Sequence, residues 1–185
     1  MAVESIANGN WSGDAATCWD LGSRPGDSHD VIIKDTHNIT LTQPERCNSI
    51  KIESGGTLTV SSGSNQSITI VSEADGSDGT SNGFAVDIDG TIVNAAAGKL
   101  DLIIETPAPT TVDFYAQGGG KVDNITINHA SCVATLGALI DITGNLTITA
   151  GELNTNSGSN YAVTVAGNLL IHPSASAGTD APSTL

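Results

Sequence analysis

Aromatic side chains are scarce in this chain of 185 residues: two Trp, two Tyr and two Phe are all it has. A sugar-binding platform of stacked rings therefore has few side chains to draw on. Basic residues are equally few, six Lys and Arg against 20 Asp and Glu, and the resulting net charge of -14 repels nucleic acid phosphate and anionic lipid. A nucleic-acid partner is excluded on that ground. No segment approaches the roughly 20 apolar residues a membrane-spanning helix requires, so membrane insertion is not expected. The opening MAVESIANGNW lacks a basic start followed by an apolar run, and no secretory leader is expected there. Three cysteines, Cys18, Cys47 and Cys132, are too few and too widely spaced for a disulfide framework and form no CxxC pair. Helix-favouring residues are scarce as well, which argues against a helical bundle.

What the chain does have is Gly, Ser, Thr and Asn interleaved with Ile, Leu and Val, and Gly alone contributes 21 residues. Small polar residues between aliphatics read as short strands joined by turns, so the composition points to an all-β protein of one domain. A pattern recurs from Val31 to Ile171: an amide residue, alternating aliphatics, then a turn. It appears at Asn38-Ile39-Thr40-Leu41, Asn48-Ser49-Ile50-Lys51-Ile52, Asn65-Gln66-Ser67-Ile68-Thr69-Ile70, Asn124-Ile125-Thr126-Ile127, Asn145-Leu146-Thr147-Ile148 and Asn168-Leu169-Leu170-Ile171. The starts recur with a period of about 20 residues and a half-step of about 10, the mark of a repeat architecture. Each strand is too short to bury its apolar face alone, and stacked coils solve that problem. The spacing thus predicts a parallel β-solenoid, with Gly and Asn at the corners.

Three zones follow. Residues 1–29 hold both tryptophans, Trp11 and Trp19, among glycines and Pro25, and read as an irregular N-terminal cap that covers the open end of the stack. Residues 30–172 form the solenoid. Residues 173–185 lose the periodicity and read as a flexible tail, or as the lead into a missing partner segment. Two stretches break the rhythm, Glu73 to Gly83 and Thr106 to Thr111 with Pro107 and Pro109, and both are expected to project as loops.

The opening Ala7-Asn8-Gly9-Asn10-Trp11-Ser12, with Ala16-Thr17-Cys18-Trp19 and Gly22-Ser23-Arg24-Pro25-Gly26-Asp27-Ser28-His29-Asp30-Val31-Ile32-Ile33, resembles the G8-like "GNW…TW…GD.V.I" start of β-solenoid surface proteins. Such starts occur in phage structural proteins and in bacterial proteins. The later run Ile142 to Leu153, with Tyr161 to Leu169, is similar to repeats in long bacterial adhesin-like proteins. The resemblance implies a right-handed parallel β-helix and, because the opening begins directly at Met1, the phage versions more than the exported ones. It implies no single function, since this kind of fold carries fibres, adhesins and polysaccharide-cleaving enzymes alike.

Few constellations carry chemistry. Asp87 and Asp89 lie two residues apart on a strand whose Val86 and Ile88 face inward, so both carboxylates share one face, a spacing compatible with acid/base work on a glycosidic bond. No Lys or Arg cluster accompanies them in the sequence, and a solvated acidic face is the plainer reading. Asp75-Gly76-Ser77-Asp78-Gly79 offers hard oxygens to calcium through Asp75 and Asp78, without the EF-hand spacing. No other cofactor is expected. The four histidines are far apart and near no cysteine, which leaves zinc without a site. A Cys18–Cys47 bridge would pin the cap to an early strand, while the odd cysteine number favours buried free thiols. The expected function is a non-enzymatic structural protein on a virion surface or appendage. The alternative is a cell-surface adhesin or extracellular fibre subunit, and the rival is a glycan-cleaving enzyme using Asp87 and Asp89. The partners expected are further copies or other structural subunits, with a glycan receptor as a further possibility.

Overall fold

The computed structural model describes residues 1–61, 63–72, 84–95, 98–114 and 122–172, together with the backbone of 175–177. The first strands are β1 (Ala2–Glu4), β2 (Gly9–Asn10), β3 (Asp30–Ile33), β4 (Asn38–Leu41), β5 (Glu45–Cys47) and β6 (Ser49–Ile52). A single helical turn, α1 (Ala15–Cys18), lies between β2 and β3. The middle of the chain adds β7 (Thr57–Val60), β8 (Gln66–Ile70), β9 (Phe84–Ile88), β10 (Thr91–Asn94), β11 (Leu100–Ile104) and β12 (Pro109–Asp113). The last strands are β13 (Asn124–Leu136), β14 (Ile140–Ile142), β15 (Leu146–Asn154), β16 (Val163–Val165), β17 (Leu169–Ile171) and β18 (Ala175–Ala177). The all-β expectation holds.

Every pairing among these strands is parallel, and apart from β12 with β13 the partners are not neighbours in the chain. Twelve strands form one strongly curled sheet, four form a second and two a third. The large sheet has two arms, β1-β3-β6-β9-β12 and β5-β8-β11, which meet at β13. The N-terminal half of β13 pairs with β11 and its C-terminal half with β12, so one long strand crosses both arms. β15 lies against β13 and repeats the crossing, pairing onward with β17 and β18. This is the origin of the curl. The bend in β15 requires glycine: Gly151 has φ +90, and a Cβ there would stand 2.5 Å from the His129 carbonyl oxygen and 2.6 Å from that of Cys132.

Register converts the alternation of the sequence into apolar columns. Val3, Val31, Ile50, Val86, Val112 and Leu136 stand one above another in the first arm. Cys47, Ile70, Ile104, Ile127, Ile148 and Ile171 do so in the second. Between the ends these columns are almost wholly buried, and each enclosed Ile or Leu contributes roughly 1.5–3 kcal/mol. Beside the second column runs a parallel one, Glu45, Ile68, Leu102, Ile125, Leu146 and Leu169, which begins with a carboxylate.

Two expectations change. The Thr106–Thr111 stretch is not a projecting loop: Thr106 is buried and donates its hydroxyl to the Ser72 carbonyl at 3.3 Å, and β12 begins at Pro109. Proline is tolerated there because the first residue of a strand need not donate to the ladder. The N-terminal segment is not wholly irregular either, since β1 and β2 are edge strands of the two larger sheets. Glu73 to Gly83 lies outside the described residues, as do the side chains of the last thirteen residues, of which Ala175–Ala177 pair with β15.

Candidate functional site

Three strand edges face the N-terminal end of the sheets, β1, β2 and β5, and the segment 12–29 covers all of them. Along β1, Asp20 N–H donates to the Glu4 carbonyl at 3.0 Å and Ile6 N–H to the Cys18 carbonyl at 2.9 Å, with an antiparallel bridge between Ser5 and Trp19. At β2, Asn10 N–H donates to Asp14 Oδ2 at 2.8 Å, and Asp14 N–H returns to the Asn10 carbonyl at 3.1 Å. An antiparallel or side-chain closure of this kind ends the parallel ladder, because no further strand can reach the same groups.

Beneath the closure lie the tryptophans. Trp11 and Trp19 are both fully buried, with ring centroids 5.2 Å apart at an interplanar angle of 67°. Their edge-to-face contact matches the ring quadrupoles. Trp19 Nε1 donates to the Trp11 carbonyl at 3.0 Å, whereas Trp11 Nε1 has no acceptor. Neither ring is available to stack on a sugar, so their role is to cap the core.

The β5 edge is closed by charge. Arg24 Nε and Nη2 donate to Glu45 Oε2 at 2.7 and 2.6 Å, and Arg46 Nε donates to Asp27 Oδ1 at 3.0 Å. The loop thus offers a cation to one residue of β5 and an anion to the next. Burial pushes the Glu45 carboxyl above its ordinary value, against the charge and hydrogen bond of Arg24 and the hydrogen bonds of Ser12 and Gln43. Between loop and strand lies a half-open cleft of about 390 Å³ lined by Arg24, Pro25, Gly26, Asp27, Pro44, Glu45, Arg46 and Thr69. Both arginines of the chain line it, yet both guanidiniums already hold carboxylates, Arg46 reaching Glu105 as well at 3.4 Å. The cleft is the seam of a clasp. Sequence reasoning missed it, because Glu45 stands out as the one charged residue in a column of aliphatics only once the register is known.

Of the two carboxylates singled out for glycan chemistry, Asp87 is engaged by a cation. Asp87 lies in β9, nearly buried, and its register partner Lys51 on β6 brings Nζ to 2.6 Å from Oδ2. Asp89 lies beyond the end of β9. No cluster of Lys or Arg was expected beside the pair; parallel register places one cation, Lys51, against Asp87, a contact 36 residues apart in sequence. Asp101 accepts from Asn124 Nδ2 at 2.7 Å. Among the described residues no group of three or more potential metal ligands occurs, and Asp75 and Asp78 lie outside those residues.

The Cys18–Cys47 bridge is not formed; Cys18, Cys47 and Cys132 are all free and buried. Burial pushes all three thiols up, Cys132 to about 11, and Asp14 adds to the effect at Cys18 while Asp30, Asp27 and Glu45 add to it at Cys47.

The C-terminal end is unlike the first. Leu169, Leu170 and Ile171 of β17 are 41%, 51% and 39% exposed, although Leu169 and Ile171 continue the buried columns. An asparagine ladder runs toward them. Asn145 N–H donates to Asn124 Oδ1 at 2.8 Å, and Asn168 N–H donates to Asn145 Oδ1 at 2.8 Å. The residues from Leu153 to His172 include no Asp, Glu, Lys or Arg. Among the described residues, one end is thus closed and charged, and the other is apolar, with no Asp, Glu, Lys or Arg from 153 to 172 and with β17 paired on one side only. Comparison of the chain with protein-family models, with curated proteins and with solved structures returns no match.

Proposed function

We propose that the protein is a non-enzymatic structural component, a right-handed parallel β-solenoid rod that joins a larger assembly through its C-terminal end. The assembly is a phage particle's surface or an appendage on it, as the resemblance of the opening segment implies. A bacterial cell-surface or extracellular fibre is the same mechanism at another address. The observation that carries this reading is the difference between the ends. A cap that covers every N-terminal strand edge prevents addition there, while the apolar columns at the other end stop at exposed Leu169 and Ile171. Solvent is an unfavourable neighbour for such a column end, and a docked subunit removes it from water.

The glycan-cleaving rival has less support, because Asp87 is paired with Lys51 and both tryptophans are enclosed. An unpaired, outward carboxylate couple is what that chemistry needs.

Site-specific labelling tests the reading. The native thiols are buried, so Ser23→Cys in the cap loop or Ser157→Cys near the C-terminal end becomes the reactive position. On particles or cell envelopes prepared with each variant, biotin-maleimide is expected to label position 23 and to be excluded from position 157. Protein that fractionates free of any assembly, labelled equally at both positions, would refute the proposal. Cleavage of a glycan panel by the wild type, lost in Asp87→Asn with Asp89→Asn, would establish the rival.

A further inference from the structure

We infer that the β17 edge is a docking site for one parallel strand of defined pattern, an Asn followed by aliphatic residues at its second and fourth positions, supplied by another polypeptide. This rests on the reading of the C-terminal end as the assembling end and names the chemistry of what it takes. The pattern comes from continuity of a packing already repeated within the molecule. Ile125 stands on Leu146 and Leu146 on Leu169, while Ile127 stands on Ile148 and Ile148 on Ile171. In the same three strands the residue before the first aliphatic is Asn124, Asn145 and Asn168, and each later Asn gives its N–H to the Oδ1 of the one before. Among the described residues no donor reaches Asn168 Oδ1. The next strand in this series is thus specified twice, by two apolar contacts and by one acceptor waiting for a backbone N–H.

A second copy of the chain does not supply that strand. Its strands at the N-terminal end, β1, β2 and β5, have their edges covered by Asp14, by Cys18 to Asp20 and by Arg24 to Asp27. Of its other described strands, β10, β14 and β16 keep one open edge but are not led by Asn, and β17 offers only the same edge that has to be filled. Charge points the same way. The docking end is uncharged in a molecule of net charge -14, so the partner strand need carry no charge of its own, and an apolar one escapes the repulsion that the rest of the surface imposes on anionic segments. The mode is strand addition to an open edge, in which main-chain bonds hold the segment and alternate side chains select it.

The probe is a fluorescein-labelled peptide with the sequence of residues 142–153, which holds the pattern at Asn145, Leu146 and Ile148. Its binding to the full chain is read by fluorescence anisotropy, and hydrogen exchange follows residues 169–171. Saturable binding is expected, with slowed exchange at β17. Asn168→Ala in the protein, which removes the acceptor Oδ1 while the peptide keeps its Asn145 N–H, is expected to weaken binding about fivefold, the value of one neutral hydrogen bond. Leu169→Asp with Ile171→Asp in the protein is expected to abolish binding while far-UV circular dichroism keeps the strand signature of the sheets, because β17 pairs with β15 alone. Equal binding of a scrambled peptide, absence of binding, or a native mass showing a dimer that excess peptide does not dissociate would each overturn the inference. If the peptide fails while position 157 remains shielded on particles, only the strand pattern falls and the assembly reading stands.

Discussion

Trp11 and Trp19 are equally buried, equally large and in contact, yet replacing each by Phe should have different consequences. Trp→Phe removes the same atoms at both positions, so the transfer and cavity contributions cancel to first order in the comparison. The Phe ring retains the edge-to-face contact in both variants. What differs is the indole N–H. Trp19 Nε1 donates to the Trp11 carbonyl at 3.0 Å, and its loss forfeits a net hydrogen bond of about 1 kcal/mol. Trp11 Nε1 has no acceptor, and removing a buried donor without a partner recovers about 1–3 kcal/mol of desolvation. Trp11→Phe should therefore be the more stable of the two by about 2–4 kcal/mol, which for a chain of this length corresponds to about 5–15 °C in melting temperature. Each variant keeps a single tryptophan within the cap, so its fluorescence reports the cap directly while far-UV circular dichroism reports the sheets. Equal melting temperatures, or a lower one for Trp11→Phe, would show that the indole of Trp11 is satisfied and that the cap packs differently.

Gly151→Ala should cost about 2–4 kcal/mol, combining the left-handed backbone with a clash against two carbonyl oxygens, whereas Gly26→Ala, with open space around it, should leave the melting temperature unchanged. Arg24→Met leaves the Glu45 carboxylate buried without its cation and should destabilise by about 3 kcal/mol near neutral pH. Burial holds the folded pKa of Glu45 above its unfolded value, so the folded state binds the extra proton and the deficit should shrink as pH falls through that folded pKa, read from paired thermal melts. At Glu53 burial acts upward, but the Lys34 hydrogen bond, the Asp35 N–H and the charges of Lys34 and Lys51 win, and the carboxyl lies below its ordinary value. The cost of Glu53→Gln should accordingly be present at neutral pH and disappear as pH falls through the folded pKa, the same direction as for Arg24→Met but in a lower pH window, because the Glu53 carboxyl lies below and that of Glu45 above the ordinary value. The three thiols should react with a disulfide reagent only after unfolding, and mass measurement of the native protein should show no disulfide; rapid reaction of any one at pH 8 would contradict its burial.

Much of the architecture was legible in the chain itself. The Ile–Thr–Ile and Leu–Thr–Ile alternations declare strands with one inward face, because side chains alternate across a strand whatever its neighbours are. Repetition of those runs, each preceded by Asn, declares strands that pair across repeats, because none can bury its face alone. Two large aromatics before the first run declare a cap. The thiols were readable as buried and free because an odd cysteine number leaves no complete pairing.

Register was not legible. Lys51 and Asp87 belong to separate repeats, and only the parallel alignment of β6 with β9 makes them an ion pair. That pairing depends on how many residues each intervening turn consumes, which local propensity does not encode. Glu45 follows the same logic: in the chain it is one acid among 20, and only its position at the start of an aliphatic column makes it a buried charge that the cap loop must neutralise. The difference between the two ends arises in the same way. The sequence pattern determined an all-β chain of short strands with two buried tryptophans near its start. Tertiary structure decided which edges the cap closes, because edge closure is made by backbone groups meeting across the fold, and every residue has those groups regardless of its side chain.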